Sequence, residues 1–588
     1  MARLLPIASN HARVRAFVER HRLPHRSSGY VRQSVAVALQ VLLHEYYELV
    51  LRLEREAVRS TWSLQTLLYY VQPTMRTMQL LATVSKQLHN SHGGAALNVV
   101  YNLAQSHVGT PNHAVLFSHL LHNAVLPVFH QIDAWVLHGL LHDSQNEFFI
   151  RHDLRYMRAT TAKSWEQRFS INRDMLPDFL SEFATTILRA GKYLNVLREC
   201  EVSITPLHLP PEQSLSACAR DLLSPDASRR IAAFVTRAYQ RASAELMSHL
   251  SKEVRLKQRL RTLRAFFLCS SSDYIAHFLD IARTELSKPR SSVSRSRLAS
   301  LLDICIRAGV NNADEFADDL TCVLAEDHLA VEIANVGKPQ PRDERNAISG
   351  YEAFALDYKL EWPLNLVVSE TEILKYQFLF RYLFYLKHVE RELEHCWNLH
   401  MRAKGSLRKI ANSLVRSFAL RNRMLHFVRN MLYYTVADVI EPNWRQLESA
   451  MNKAQTIDEI MVHHARFLDM CVTQSLLSNE RHVQVLRALG ETCTAFAAYT
   501  EGFETLIRAS KDADVVQDRL KERLYPGTLA KFETSFDLHL GKLMDGLSAV
   551  SKKRANFHLA NLCERLDGGD YYSRFKERSL ASFGNLQI

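Results

Sequence analysis

A length of 588 residues leaves room for several hundred residues of core, so the fold needs neither disulfide nor metal staples. Hydrophobic residues make up 47% and charged residues 23%, the balance of an ordinary soluble globular protein, and the formal charge is +11. The basic residues are interspersed with acids along amphipathic stretches, which points to a solvated helical surface steering toward an acidic protein and away from nucleic-acid binding. Nine scattered cysteines without a C-x-x-C pair exclude a disulfide framework and a structural zinc site, and they favour a reducing compartment. No unbroken apolar run reaches the ~18 residues of a membrane span. The start, MARLLPIASNHARVR, is Arg-rich and acid-free like a mitochondrial transit peptide, but its apolar spacing continues into the first predicted helix.

Only 18 Gly and 16 Pro interrupt the chain, so helices should dominate. A bend is expected at Gly93–Gly94. Over 174–200, Leu176, Leu180, Phe183, Ile187, Gly191 and Leu194 recur at steps of three and four, predicting one helix with Pro177 in its first turn. Three stretches read as loops: 201–215 and 337–349, rich in proline, and the basic, serine-rich 288–297. Ser369–Glu372 is a capping box opening a helix whose face carries Leu379, Leu383, Leu386, Val389, Leu393 and Cys396. A helix from about 411 to 440 should stop before Pro442. Thr456–Glu459 is a second capping box, opening the helix of Phe467, Met470 and Leu476, and Gly568–Gly569 ends the last long helix. Strand-type alternation and fixed-period repeats are absent, so the expected class is all-α.

Catalytic patterns fail at specific positions. Gly191-Lys192 is no phosphate loop, because Thr186 replaces the earlier glycine and Tyr193 follows. Asp314, Glu315, Asp318 and Asp319 resemble an aspartate-rich metal motif, but Cys322 stands where a further carboxylate is needed, leaving a solvated acidic helix face. His463-His464 lacks H-E-x-x-H spacing, and no G-x-S-x-G elbow occurs. No catalytic, cofactor-binding or metal residue is assigned, and no enzyme is expected.

Several blocks occur in a definite order. Trp62-Ser-Leu-Gln65 leads into Tyr70-Val-Gln-Pro-Thr-Met75-Arg-Thr-Met78, then Trp135-Val-Leu-His-Gly139-Leu-Leu-His142-Asp143 and Glu147-Phe-Phe149. Trp165-Glu-Gln-Arg-Phe169 and Gly191-Lys-Tyr-Leu-Asn-Val-Leu-Arg-Glu-Cys200 follow. Further on come Phe266-Phe-Leu268, Trp362-Pro-Leu-Asn-Leu366, Tyr376-Gln377, Lys387-His-Val-Glu-Arg391, Leu420-Arg421, Arg423-Met-Leu425, Glu441-Pro442 and Trp444. Together, over about residues 40 to 505, these resemble the gamma-tubulin complex component family, and the string Gly191–Cys200 is similar to its second-component type.

The resemblance implies an elongated array of two consecutive helical-bundle domains: 1–258 for lateral assembly with neighbouring components and 259–588 for gamma-tubulin binding. It implies a scaffold without cofactors that templates microtubule nucleation at a microtubule-organising centre (centrosome, basal body or spindle pole) in the cytoplasm. Gamma-tubulin, the third component and other family members would be its partners in a hetero-oligomer, with no nucleic acid and no membrane insertion. Members of this type carry a longer N-terminal extension that receives regulators, whereas this sequence begins close to the bundle. Most aromatic positions in the blocks should be core. Polar residues beside aromatic faces suit an interface, which makes Arg381, Lys387, Glu390, Arg421 and Arg423 the gamma-tubulin candidates. Trp62, Met75, Trp135, His142 and Asp143 are the lateral-assembly candidates. A tethering or adaptor scaffold of another complex, and an unrecognised all-α enzyme, stay open as alternatives.

Overall fold

A computed structural model describes residues 5–22, 29–59, 63–153, 155, 162–202, 214–271, 273–309, 314–335, 348–406, 411–509, 524–554 and 557–568. The chain divides into two compact units, Met1–Val254 with Gln455–Ile457, and Arg255–Ala454 with Asp458–Ile588. Most of loop 201–215, most of loop 337–349 and Trp62 lie outside the described residues.

The first unit begins with five helices: α1 (Leu5–His21), α2 (Tyr30–Arg59), α3 (Leu64–Leu88), α4 (Gly93–Ser106) and α5 (Pro111–His138). A small antiparallel pair follows, β1 (Ile150–His152) and β2 (Phe169–Ile171), with α6 (Ala162–Arg168) between them. The unit closes with α7 (Ala184–Glu199), α8 (Leu215–Cys218) and α9 (Pro225–Lys252). Helix α5 is central and packs on α2, α4 and α7, burying Leu120, Ile132 and Trp135 completely. Gly93 opens α4 at φ +51°, where an added Cβ would lie 2.6 Å from the Glu147 carbonyl oxygen, so the expected bend doubles as a close approach.

The helix expected over 174–200 starts only at Ala184. Ahead of it lie two 3₁₀ turns, Arg173–Met175 and Asp178–Leu180, with Leu176 and Pro177 extended between them. Proline forces its predecessor out of the helical region, and Asn98 fastens the extended pair. Its amide nitrogen donates to the Leu176 carbonyl at 3.2 Å while its side-chain oxygen accepts the Asp178 N–H at 2.9 Å.

In the second unit, α10 (Leu256–Phe267), α11 (Asp273–Ile281), α12 (Arg283–Leu286) and α13 (Arg295–Ala308) lead to β3 (Leu320–Leu324). Next come α14 (Leu329–Asn335), α15 (Gly350–Ala353) and β4 (Phe354–Tyr358), which pairs antiparallel with β3 from Leu320↔Tyr358 to Leu324↔Phe354. The long helices are α16 (Glu370–Ser406), α17 (Ala411–Tyr433), α18 (Glu441–Lys453), α19 (Ile457–Gln474), α20 (Glu480–Ala509) and α21 (Leu524–Arg554), and α22 (Phe557–Leu566) is the last described element. The capping box at α16 forms, with Glu372 accepting the Ser369 backbone N–H at 2.7 Å. All six apolar positions assigned to that face of α16 are buried, and the helix packs on α17, α20 and β4. Met470 of α19, the helix expected to open on the second capping box, is 38% exposed, and Leu476 lies beyond its end at φ +67°.

The all-α expectation holds for a mostly helical chain, with two sheets of two strands each as the exception among the described residues. Two further expectations are corrected. The helix does not stop before Pro442: a π-helical segment, Tyr434–Ile440, carries α17 straight into α18, with Pro442 in the first turn of α18 and Glu441 fully helical. Pro442 thus lies inside a continuous helical run and has no N–H to give to the turn before it, and the ladder adjusts there by widening to the π-helical pattern, in which the Glu441 N–H bonds back to Val436. The carboxylates at 314–319 do not form a solvated helix face, because Asp314 precedes a 3₁₀ turn and accepts from the Thr262 hydroxyl at 2.7 Å. Glu315 pairs with Arg255, and Asp319 with Arg259 at 2.7 Å, which ties this turn to α10.

Candidate partner-binding surfaces

Three of the blocks that carry the family resemblance in the first unit, those of Trp135, Trp165 and Gly191, meet in one seam. Trp135 of α5 is fully buried and its indole N–H donates to the Ile187 carbonyl at 3.0 Å. A Cβ at Gly191 would overlap that indole ring, so only glycine lets α7 approach α5 here. Lys192 is buried beside it, its ammonium 2.8 Å from the Glu166 carbonyl and 5.1 Å from the centre of the Trp165 ring. Burial pulls this ammonium down to about 8, because the charged form loses its water. Tyr193 stacks parallel to Trp165 at 6.2 Å. The string that best identifies the second-component type is thus packing, and Trp135 is an interior residue with nothing to present to a neighbour.

His142 is exposed. Asp143 accepts the backbone N–H groups of Glu147 at 3.1 Å and Phe148 at 2.8 Å, which shapes the turn after α5. The Glu147 carboxylate, itself buried, accepts the Tyr30 N–H at 2.6 Å and the Gly93 N–H at 3.0 Å. One carboxylate therefore serves the positive ends of α2 and α4, which favour a negative charge. Met75 is half-buried on α3.

The gamma-tubulin candidates divide in the same way. Arg381 is 4% exposed and fully engaged: it pairs with Glu332 and donates to the carbonyls of Glu352 at 3.1 Å and Asp327 at 2.8 Å. Arg421 is 6% exposed, lies 4.5 Å from the Trp397 ring centre and donates to Asn422. Arg423 pairs with Asp537 beside Phe536. These three arginines are internal ties, and Arg381 and Arg423 reach partners 49 and 114 residues away in sequence. Lys387 and Glu390 lie nearer the surface, 3.0 Å apart, within a ladder where Arg429 reaches Glu390 at 3.0 Å and Glu394 at 2.8 Å, and Arg391 reaches Asp280 at 2.6 Å.

Sequence reasoning missed two exposed apolar surfaces. Beyond Leu43, α2 buries no side chain among those described, and it exposes Tyr47, Val50, Leu51 and Val58. Helix α3 exposes Leu64, Tyr69 (75%) and Tyr70 before its first buried residue, Val71. The signal was present as apolar residues too dense for one stripe, Tyr46-Tyr47 and Leu49-Val50-Leu51. Helix α2 has the length and hydropathy of a membrane-crossing helix, yet its first half seats Val31, Val35, Leu39 and Leu43 in the core. In the second unit, Trp397 and Met401 at the end of α16 and Val415 at the start of α17 are exposed, with Trp397 edge-on to Phe418 at 6.3 Å. Aromatic and methionine side chains left in water are the composition that interfaces favour.

Two family models match the chain, Gamma tubulin complex component N-terminal over residues 1–253 and Gamma tubulin complex component C-terminal over 256–572. The chain belongs to the gamma tubulin complex component family. It is 30% identical to Gamma-tubulin complex component 2 of Mus musculus, with 98% of this chain and 68% of that relative covered. Against Gamma-tubulin complex component 2 of Arabidopsis thaliana the identity is also 30%, covering 96% and 83%. Spindle pole body component alp4 of Schizosaccharomyces pombe is 26% identical over 92% of this chain and 82% of its own length. The resemblance read from the ordered blocks, second-component likeness included, is borne out.

Proposed function

We propose that this chain is a structural scaffold of a gamma-tubulin complex, holding gamma-tubulin through residues 259–588 and neighbouring components, the third among them, through residues 1–258. The observation that carries this reading is the back-to-back match of the two family models, meeting at 253 and 256 beside the boundary between the compact units at Val254. The likeness to a spindle pole body component supports work at a microtubule-organising centre. In the first unit, the exposed apolar ends of α2 and α3 are the proposed lateral surface, and their occupant is the homologous unit of another component. In the second, the Trp397–Met401–Val415 surface is the proposed gamma-tubulin contact, with Arg421 holding Trp397 from behind.

The mechanism is multivalent templating. Free subunits pay translational and rotational entropy that a weak lateral contact cannot repay. Subunits fixed side by side meet the next one at high effective concentration, so nucleation speeds up without any reaction on this chain. The test is purification of the full chain with its bound partners. Near-equal gamma-tubulin is expected, and its absence at low salt would sink the proposal. Trp397→Ala with Val415→Asp should strip gamma-tubulin and leave the third component, whereas Val58→Asp with Tyr69→Asp should do the reverse.

A further inference from the structure

From Ala57 to Ile132 the sequence contains no Asp or Glu, although the chain's own average would place about eight there. This stretch builds α3, α4 and most of α5. Against it packs α1, whose single acid, Glu19, is already paired with Arg15 at 2.7 Å. Between α1 and α3 lies a groove of about 1150 Å³ with no carboxylate in its lining. Arg13, Arg76 and Lys86 stand along it, all exposed, and Asn10, Gln72, Gln79, Gln87 and Asn90 fill the intervals. Its apolar share is modest, chiefly Ile7, Leu68 and Met75.

We propose that this groove receives an acidic polypeptide segment of a partner protein. Carboxylates would meet the three cations, and the carboxamides, which both donate and accept, would meet the segment's polar side chains or backbone. Arg76 and Lys86 are ten residues apart on one helix, about 15 Å, which fits carboxylates about ten residues apart in a helical segment or about five apart in an extended one. The charge is too sparse for nucleic acid, whose binding is dominated by many phosphate contacts along a basic track. A membrane surface would meet carboxamides where it needs insertable apolar side chains. This site is separate in chemistry from the apolar ends of α2 and α3, and it does not depend on which neighbour those ends hold.

The test uses the full chain and a fluorescein-labelled helical peptide of about 20 residues, bearing glutamates ten residues apart among Leu and Gln, read by anisotropy at low salt. Saturable binding is expected. Arg13→Glu with Arg76→Glu and Lys86→Glu should weaken it about tenfold or more, and the same peptide with Gln for Glu should lose binding to the parent chain. Arg52→Glu with Arg55→Glu, on α2 and outside the groove, should leave it within about twofold. Equal peptide affinity in the triple variant, at an unchanged melting temperature, overturns the proposal. So does tighter binding of a single-stranded oligonucleotide or a phosphatidylserine vesicle that the triple variant abolishes, since the groove would then be a nucleic-acid or membrane site.

Discussion

At the seam of α5 and α7 the chain closes two helices with a glycine beneath an indole; around α16 it closes them with guanidinium groups. Trp135, Ile187 and Gly191 fit by shape, and their one polar requirement, the indole N–H, is met by a neighbouring carbonyl. Arg381 fits by satisfying three acceptors at once, and Arg264 and Arg259 join α10 to α18 and to the turn before β3 in the same manner. A packed seam fails when volume is added. A guanidinium tie fails when one partner is removed, because the remainder is left charged and dry.

Arg381→Ala should be the most damaging change, about 3–5 kcal/mol, because Glu332 and two carbonyls lose their donor. Urea denaturation would check it, and a loss below about 1 kcal/mol would mean the network is dispensable. Gly191→Ala should cost about 3 kcal/mol through overlap with Trp135, read as a fall in melting temperature; a neutral result would mean the seam can open. Asp133, on the same α5, sharpens the contrast because it is a carboxylate without a tie. Its buried Oδ1 has no hydrogen-bond partner, and burial raises its carboxyl to about 6. The folded state then binds this proton more tightly than the unfolded state, so its charging penalty is relieved as pH falls through about 6 toward 4. Asp133→Asn should therefore stabilise the chain by about 2 kcal/mol at neutral pH, with the gain fading over that window. Smallest is Arg429→Ala, which cuts exposed rungs to Glu390 and Glu394 and should shift stability by about 0.5 kcal/mol, less in high salt.

Much of this architecture was legible in the residues. The Ser369–Glu372 cap and the buried face from Leu379 to Cys396 follow from spacing alone, because helix ends and helix faces are local properties. The strands were not: β1 and β2 have three residues each, too few for alternation to register. The arginines show a different limit. Arg381 and Arg421 have the look of interface residues, but whether a cation faces solvent or the core depends on partners such as Glu332, 49 residues away, and no local pattern encodes that pairing. Conversely, the apolar density at the ends of α2 and α3 is visible in the sequence, but a one-dimensional pattern does not say whether a further element will cover it.

The π-helical segment Tyr434–Ile440 acts as a phase shifter. Each residue of a regular helix turns its successors by about 100°, so a widened turn sets the azimuth of everything downstream. Trp444, four residues on, meets Phe467 at 5.6 Å and Arg264 at 5.1 Å only in the rotated frame. Deleting one residue there would leave composition and hydrophobicity almost unchanged and swing that indole away from both, so this stretch should tolerate substitution far better than a change in length.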